Sequence, residues 1–178
     1  MIILNISFSV LKEYSKDKEY IDIVYDILTN ENFKSMDKYM QHGNTSTKLH
    51  SINVSYLSYK ICKRFKLNYK AAARSGLLHD YYLYDWHTHY EKTGLRFHGF
   101  THPKTALKNA LNEFTLSNLE QNIILRHMWP LTIIPPKNLE GLVVTFVDKY
   151  CSILETCNLL IKNLYKTQDL FKKVKQDK

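Results

Sequence analysis

Eight histidines and a few isolated carboxylates hold most of the reactive chemistry of this 178-residue chain. His50, His79, His127 and Asp148 each interrupt a run of apolar residues at helical spacing, and Asp80 directly follows His79. A lone histidine on an apolar helix face is more often a hydrogen-bonded core residue than a ligand. Several such groups on different helices, all facing one centre, are the material from which helical bundles build metal sites. Asp148 sharpens the point, because a carboxylate inside GLVVTFVDKYCSIL is costly to bury without a partner.

Imidazole and carboxylate without paired cysteines favour iron, manganese, cobalt, nickel or zinc over calcium. With His102 or His98 added, the candidate ligands exceed what a single tetrahedral structural ion needs. The expected arrangement is a pair of divalent transition-metal ions bridged by Asp80, with His50, His79 and Asp148 on one and His102 and His127 on the other. Such a pair with a bridging hydroxide keeps a net positive charge of about one, which suits phosphate. Arg126, Lys149 and Arg74 are candidate phosphate contacts, and His42 in QHG is the loop histidine best placed to reach the site. His87 and His89 read as solvated. The aromatic run Tyr81, Tyr82, Tyr84 and Trp86 offers faces that could stack on a base.

These groups must be positioned by helices. Only five Gly and four Pro are present, and apolar residues recur at three and four rather than alternating. The spacing predicts helices over Lys18 to Thr29, Phe33 to Tyr39, and Thr47 to Phe65, with a break at Gln41–Asn44. Asn68 caps a helix ending near His79-Asp80, and Tyr81 to Gly99 reads as an irregular crossing. A further helix starts at His102-Pro103 and runs to about Phe114. Ser117-Asn118-Leu119-Glu120 is a capping box for the next, which carries His127. After Trp129-Pro130 and Pro135-Pro136, a long helix opens at Asn138 and continues to about Tyr165.

With 44% hydrophobic and 24% charged residues, the composition is that of a folding globular chain, and the length suits a single domain. Cys62, Cys151 and Cys157 are odd in number and sit in apolar helical patterns, as thiols of a reducing cytoplasm do. The apolar start MIILNISFSVLKEY lacks the basic segment and cleavage site of a signal peptide, and no apolar run is long enough to span a bilayer. The formal charge of +8 lies largely in a lysine-rich tail patterned as a solvated helix, so neither nucleic acid nor membrane is the expected partner.

The order His50, His79-Asp80, Asp148 resembles the H…HD…D signature of the HD superfamily of metal-dependent phosphohydrolases. Leu49–Val54 resembles that family's first-histidine helix, Gly76–Asp80 its HD turn, and Val147-Asp148-Lys149 its last-ligand helix. His102-Pro103-Lys104-Thr105-Ala106 and Ile124-Leu125-Arg126-His127 are similar to the two extra histidines of its binuclear branches, a match that prefers His102 over His98 as ligand. His98 then lies behind it or faces phosphate.

The resemblance implies an all-α HD-domain bundle of about six to seven helices in one domain, 1–178. Its core would span about 41–152, with helices from 1–40 and the C-terminal helix packed on it. It also implies hydrolysis of a phosphoester or phosphoanhydride by metal-bound hydroxide, with Asp80 or Asp148 orienting the water or receiving its proton. A small phosphorylated substrate, a nucleotide or dinucleoside polyphosphate, is expected, since the histidine spacing looks most like bacterial diadenosine tetraphosphate hydrolases. The alternative is a non-catalytic regulatory module that binds metal or nucleotide. The chain departs from many relatives in following HD with Tyr81-Tyr82-Leu83-Tyr84 rather than a small apolar residue, Gly and Lys, and it has no Gly-Tyr-Pro element.

Overall fold

Five helix starts in this chain coincide with side chains that accept from the free amides of a first turn. A computed structural model describes residues 13–42, 44–88 and 97–176, and the side chains of these except His42 and those beyond 157. Among the described residues, seven complete helices follow one another: α1 (Lys18–Thr29), α2 (Glu31–Ser35), α3 (Thr47–Arg64), α4 (Tyr69–Leu78), α5 (His98–Glu113), α6 (Asn118–Arg126) and α7 (Leu139–Gln176). A single 3-10 turn at Met36–Lys38 and a small antiparallel pair, β1 (Met40–His42) and β2 (Thr45–Ser46), join α2 to α3. The fold is all-α, as expected. Asp17, Asn30, Ser46 and Asn68 accept from backbone amides of α1, α2, α3 and α4, each cap contributing about 1 kcal/mol. Ser117 and Glu120 complete the predicted capping box of α6.

α3 is the central element and is buried on most of its circumference. It packs along α4 on one side and α7 on another, while α4 also meets α1, α6 and α7, and α5 meets α6. The approach of α3 and α4 depends on Gly76, where a β-carbon would stand 2.6 Å from the α-carbon of Ser55. Ser55 bolts the same junction: its hydroxyl donates to the Ala73 carbonyl at 2.6 Å and meets the Tyr20 hydroxyl of α1 at 2.8 Å. Around that bolt Val24, Ile27, Phe33, Met36, Leu77 and Leu78 form the main core.

Three boundaries differ from expectation. The stretch predicted as a helix over Phe33 to Tyr39 is α2 followed by the 3-10 turn, and the break after it is a hairpin pairing Met40 with Ser46. Strands this short carry no period for a sequence to display. α5 begins at His98 rather than at His102-Pro103, because Phe97 takes a left-handed conformation, φ 68°, and turns the chain into the helix one turn earlier. Pro103 therefore lies inside α5. α7 continues past Tyr165 to Gln176. No helix among the described residues is long and apolar enough to cross a membrane.

Candidate metal centre

Five helices or their ends deliver six polar side chains to one buried place. His50 comes from α3, His102 from α5 and Asp148 from α7, all on inward faces. His79 and His127 occupy the C-terminal cap positions of α4 and α6, with Asp80 one residue beyond. All six are buried, Asp148 being the most exposed at 7%.

Each imidazole is turned by what its Nδ1 touches. His79 Nδ1 donates to the Gly76 carbonyl at 2.8 Å, His102 Nδ1 to the His98 carbonyl at 3.0 Å, and His127 Nδ1 to the Ile124 carbonyl at 2.8 Å. A carbonyl can only accept, so these rings carry hydrogen on Nδ1. His50 Nδ1 faces the Glu155 carboxylate at 2.9 Å and is fixed in the same sense. Four Nε2 atoms are thereby left pointing at the oxygens of Asp80 and Asp148.

The distances divide them around Asp80. Its Oδ1 lies 3.1 Å from His102 Nε2 and 3.7 Å from His127 Nε2, whereas its Oδ2 lies 3.3 Å from His79 Nε2 and 3.9 Å from His50 Nε2. Asp148 Oδ1 is 3.1 Å from His50 Nε2 and 3.5 Å from His79 Nε2. Ligand atoms of His50, His79 and Asp80, of His79, His127 and Asp148, and of Asp80, His102 and His127 each fall within 4.8 Å of one another.

This convergence of acceptors calls for a cation. His79 Nε2 is buried without a hydrogen-bond partner, and His102 Nε2 and His127 Nε2 stand only 2.9 Å apart. At that distance the two rings can share one proton, or an ion in its place. The imidazole and carboxylate set is the donor chemistry of divalent transition metals, and the outer hydrogen bonds are those that orient metal-bound histidines. The buried cluster can therefore hold metal ions and is compatible with an HD-type site.

Without an ion, protons take the inner positions. Burial presses His50 down, but Asp148 and Glu155 outweigh it and bring the imidazole up to about 9. Burial acts on His79 in the same way, and Asp80 and Asp148 hold it well above the ordinary histidine range. Burial would raise both carboxylates, yet the facing histidines keep Asp80 and Asp148 well below the usual range. For His127, burial and then the charges of His102 and His79 prevail, and it falls to about 3.

A cavity of about 460 Å³ opens on this cluster. Asp80, His102, His127 and Asp148 reach its wall, whereas His50 and His79 lie behind it. Lys149 also lines it; burial lowers the lysine's pKa, and its Nζ donates to the His127 carbonyl at 3.0 Å while standing 3.8 Å from Asp148 Oδ2. His98 lines the cavity too, its ring stacked 4.6 Å from His102 on one side and 5.5 Å from Trp86 on the other.

Other candidates are placed differently. Arg74 does not reach the cavity: it pairs with Asp26 at 2.6 Å and Glu120 at 3.1 Å, tying α4 to α1 and α6. Arg126 ends α6 beside His127 without lining the cavity. The side chain of His42 and all of His89 lie outside the described residues, and His87 is a surface group paired with Asp85. Of the aromatic run, Trp86 alone lines the cavity. Tyr81 and Tyr82 have no face free to stack on a ligand, being 0% and 2% exposed; Tyr81 bonds Asn30 and Glu113, and Tyr82 bonds Gln41.

Two site residues escaped the sequence reading. Gln41 of β1 donates to Asp80 Oδ2 at 2.6 Å, its amide oxygen held by the hydroxyls of Thr47 and Tyr82. Nothing in a short strand marks it. Glu155 does carry a signal, since it falls two helical turns after Asp148 on the same face of α7. Compared with known protein families, with curated proteins and with solved structures, the chain shows no match.

Proposed function

We propose that this chain is a metal-dependent phosphohydrolase of the HD type, acting on a phosphoester or phosphoanhydride of a small substrate, a nucleotide or dinucleoside polyphosphate. The observation that carries the reading is the division around Asp80, whose one oxygen faces His102 and His127 and whose other faces His79 and His50. A carboxylate so placed suits a bridge between two ions. His50, His79 and Asp148 would complete one ligand set, and His102 with His127 the other. Iron, manganese, cobalt, nickel or zinc would supply a water of lowered pKa and positive charge against the phosphoryl oxygens.

The chain's own groups then act on the substrate from the cavity side. Asp148 or Asp80 orients the attacking water and takes its proton. The Lys149 ammonium, on a side chain 35% exposed at the wall, meets a phosphoryl oxygen. His98 is positioned to donate to another, and Trp86, stacked on His98 at 5.5 Å and on His87 at 4.0 Å, keeps an aromatic ring at the same wall. Burial of the six side chains lowers the local dielectric and strengthens each of these contacts.

Metal analysis after mild purification, followed by a phosphoester panel assayed with each of the five metals, tests the proposal. About two ions per chain and faster turnover of nucleotides than of phosphosugars are expected. Folded protein that cannot be loaded with metal would overturn it, and loaded protein with no turnover would leave a regulatory binding module.

A further inference from the structure

The two halves of the cluster are not alike in what stands behind them. On the His102–His127 side the outer partners are the neutral carbonyls of His98 and Ile124, and Asp80 is the carboxylate in ion-pair reach of those rings among the described residues. On the other side His50 is strung between two carboxylates of one helix, Nε2 at 3.1 Å from Asp148 and Nδ1 at 2.9 Å from Glu155. Glu155 is 5% exposed, and among the described residues it forms no other ion pair; Asn53 Nδ2 donates to its second oxygen at 3.4 Å. A carboxylate buried this deeply is costly unless positive charge compensates it. The imidazole passes that charge on, since a carboxylate behind a ligating histidine fixes the ring and raises its basicity toward the ion. The halves also differ in access, because His102 and His127 line the cavity and His50 and His79 do not.

We infer that Glu155 makes the two metal positions unequal, so that the deep one on the His50 side fills first and holds tighter while the one at the cavity fills second and exchanges with solvent. The inference rests on the metal-centre reading above. Glu155 is a positioning residue in this scheme, touching His50 and neither substrate nor ion. The cavity-side ion is then the one that meets the phosphoryl group, and loss of that ion alone leaves a folded, singly loaded, inactive protein.

Titration of metal-free protein with Co(II), followed by calorimetry and visible absorption, tests this. Wild type should show two binding events of different affinity, and a brief chelator wash should leave about one ion per chain. Glu155→Gln keeps the size of the side chain and an acceptor for His50, so it should weaken the first event by about ten- to a hundredfold and leave the second nearly unchanged. Glu155→Asp should recover part of the loss. His127→Ala should remove the weaker event and spare the tighter, a check that stands even if Glu155→Gln does not fold. Two equal events in the wild type, an unaltered first event in folded Glu155→Gln, or loss of the tighter event in His127→Ala would overturn the inference alone. Folded wild type that binds no Co(II) would overturn the metal-centre reading with it.

Discussion

Asp80 is the residue on which both halves of the cluster depend, since each of its oxygens serves one of them. Asp80→Ala should abolish metal binding and turnover together while leaving the helices intact, because the buried charge leaves along with the ions that balanced it. Metal content measured beside circular dichroism decides, and a folded variant with two ions and full turnover would place the site elsewhere. His98→Ala is the contrasting case. The backbone carbonyl that orients His102 survives the substitution, so the ions should stay and activity or metal affinity should fall by about ten- to a hundredfold. Protons and cations compete for the same inner atoms, which gives a pH dependence of defined sign. His50 stands at about 9 in the folded metal-free protein against 6.5 ordinarily, so its contribution to stability is full below about 6.5 and is lost as the pH rises through about 9. Asp80 and Asp148 are held low, so their contribution exists above the ordinary carboxylate range and is lost in acid, where His127, depressed to about 3, adds to the loss. Thermal melts of metal-free protein across this range should therefore peak near neutrality, and metal affinity should climb between about pH 6.5 and 9 as the His50 proton leaves.

Helices were legible wherever an apolar face repeated at three and four behind a capping side chain, as at Asn68 and Ser117. The same logic located the inward histidines, because a polar residue on such a face has few places to point. It failed where structure is made by single backbone conformations or by pairs distant in sequence. The left-handed Phe97 that starts α5 early has no signature in its own residue type, and the strand holding Gln41 is too short to show a pattern. Glu155 was passed over for another reason: its spacing puts it on the face of Asp148, but a glutamate beside Thr156 and Cys157 gains a role only when His50, 105 residues away, is seen against it. The α3–α4 junction yields a prediction at this scale. Gly76→Ala drives a methyl group to within 2.6 Å of the Ser55 backbone and should cost about 1–3 kcal/mol, read as a lower urea midpoint. Because the Gly76 carbonyl also turns His79, any parting of the two helices should weaken metal binding as well.

Seen as a whole, the molecule gathers its candidate ligands from α3, the end of α4, α5, the end of α6, and α7, so that ion binding and folding are linked. Removing metal should lower the melting temperature, and at a free-ion concentration about a thousand times the Kd the difference is about 4 kcal/mol. Calorimetry with and without chelator measures it, and equal melting temperatures would show that ions do not bind the native cluster. The three cysteines, Cys62, Cys151 and Cys157, are all free thiols. No covalent bridge therefore shortens the unfolded chain, and an ion held by His50 and Asp148 would close a loop whose ends are 98 residues apart. Loop-closure entropy grows only with the logarithm of length, but it is greatest for ends so widely separated. The centre then acts as a removable staple, a cross-link that a chelator can cut and a metal salt can restore.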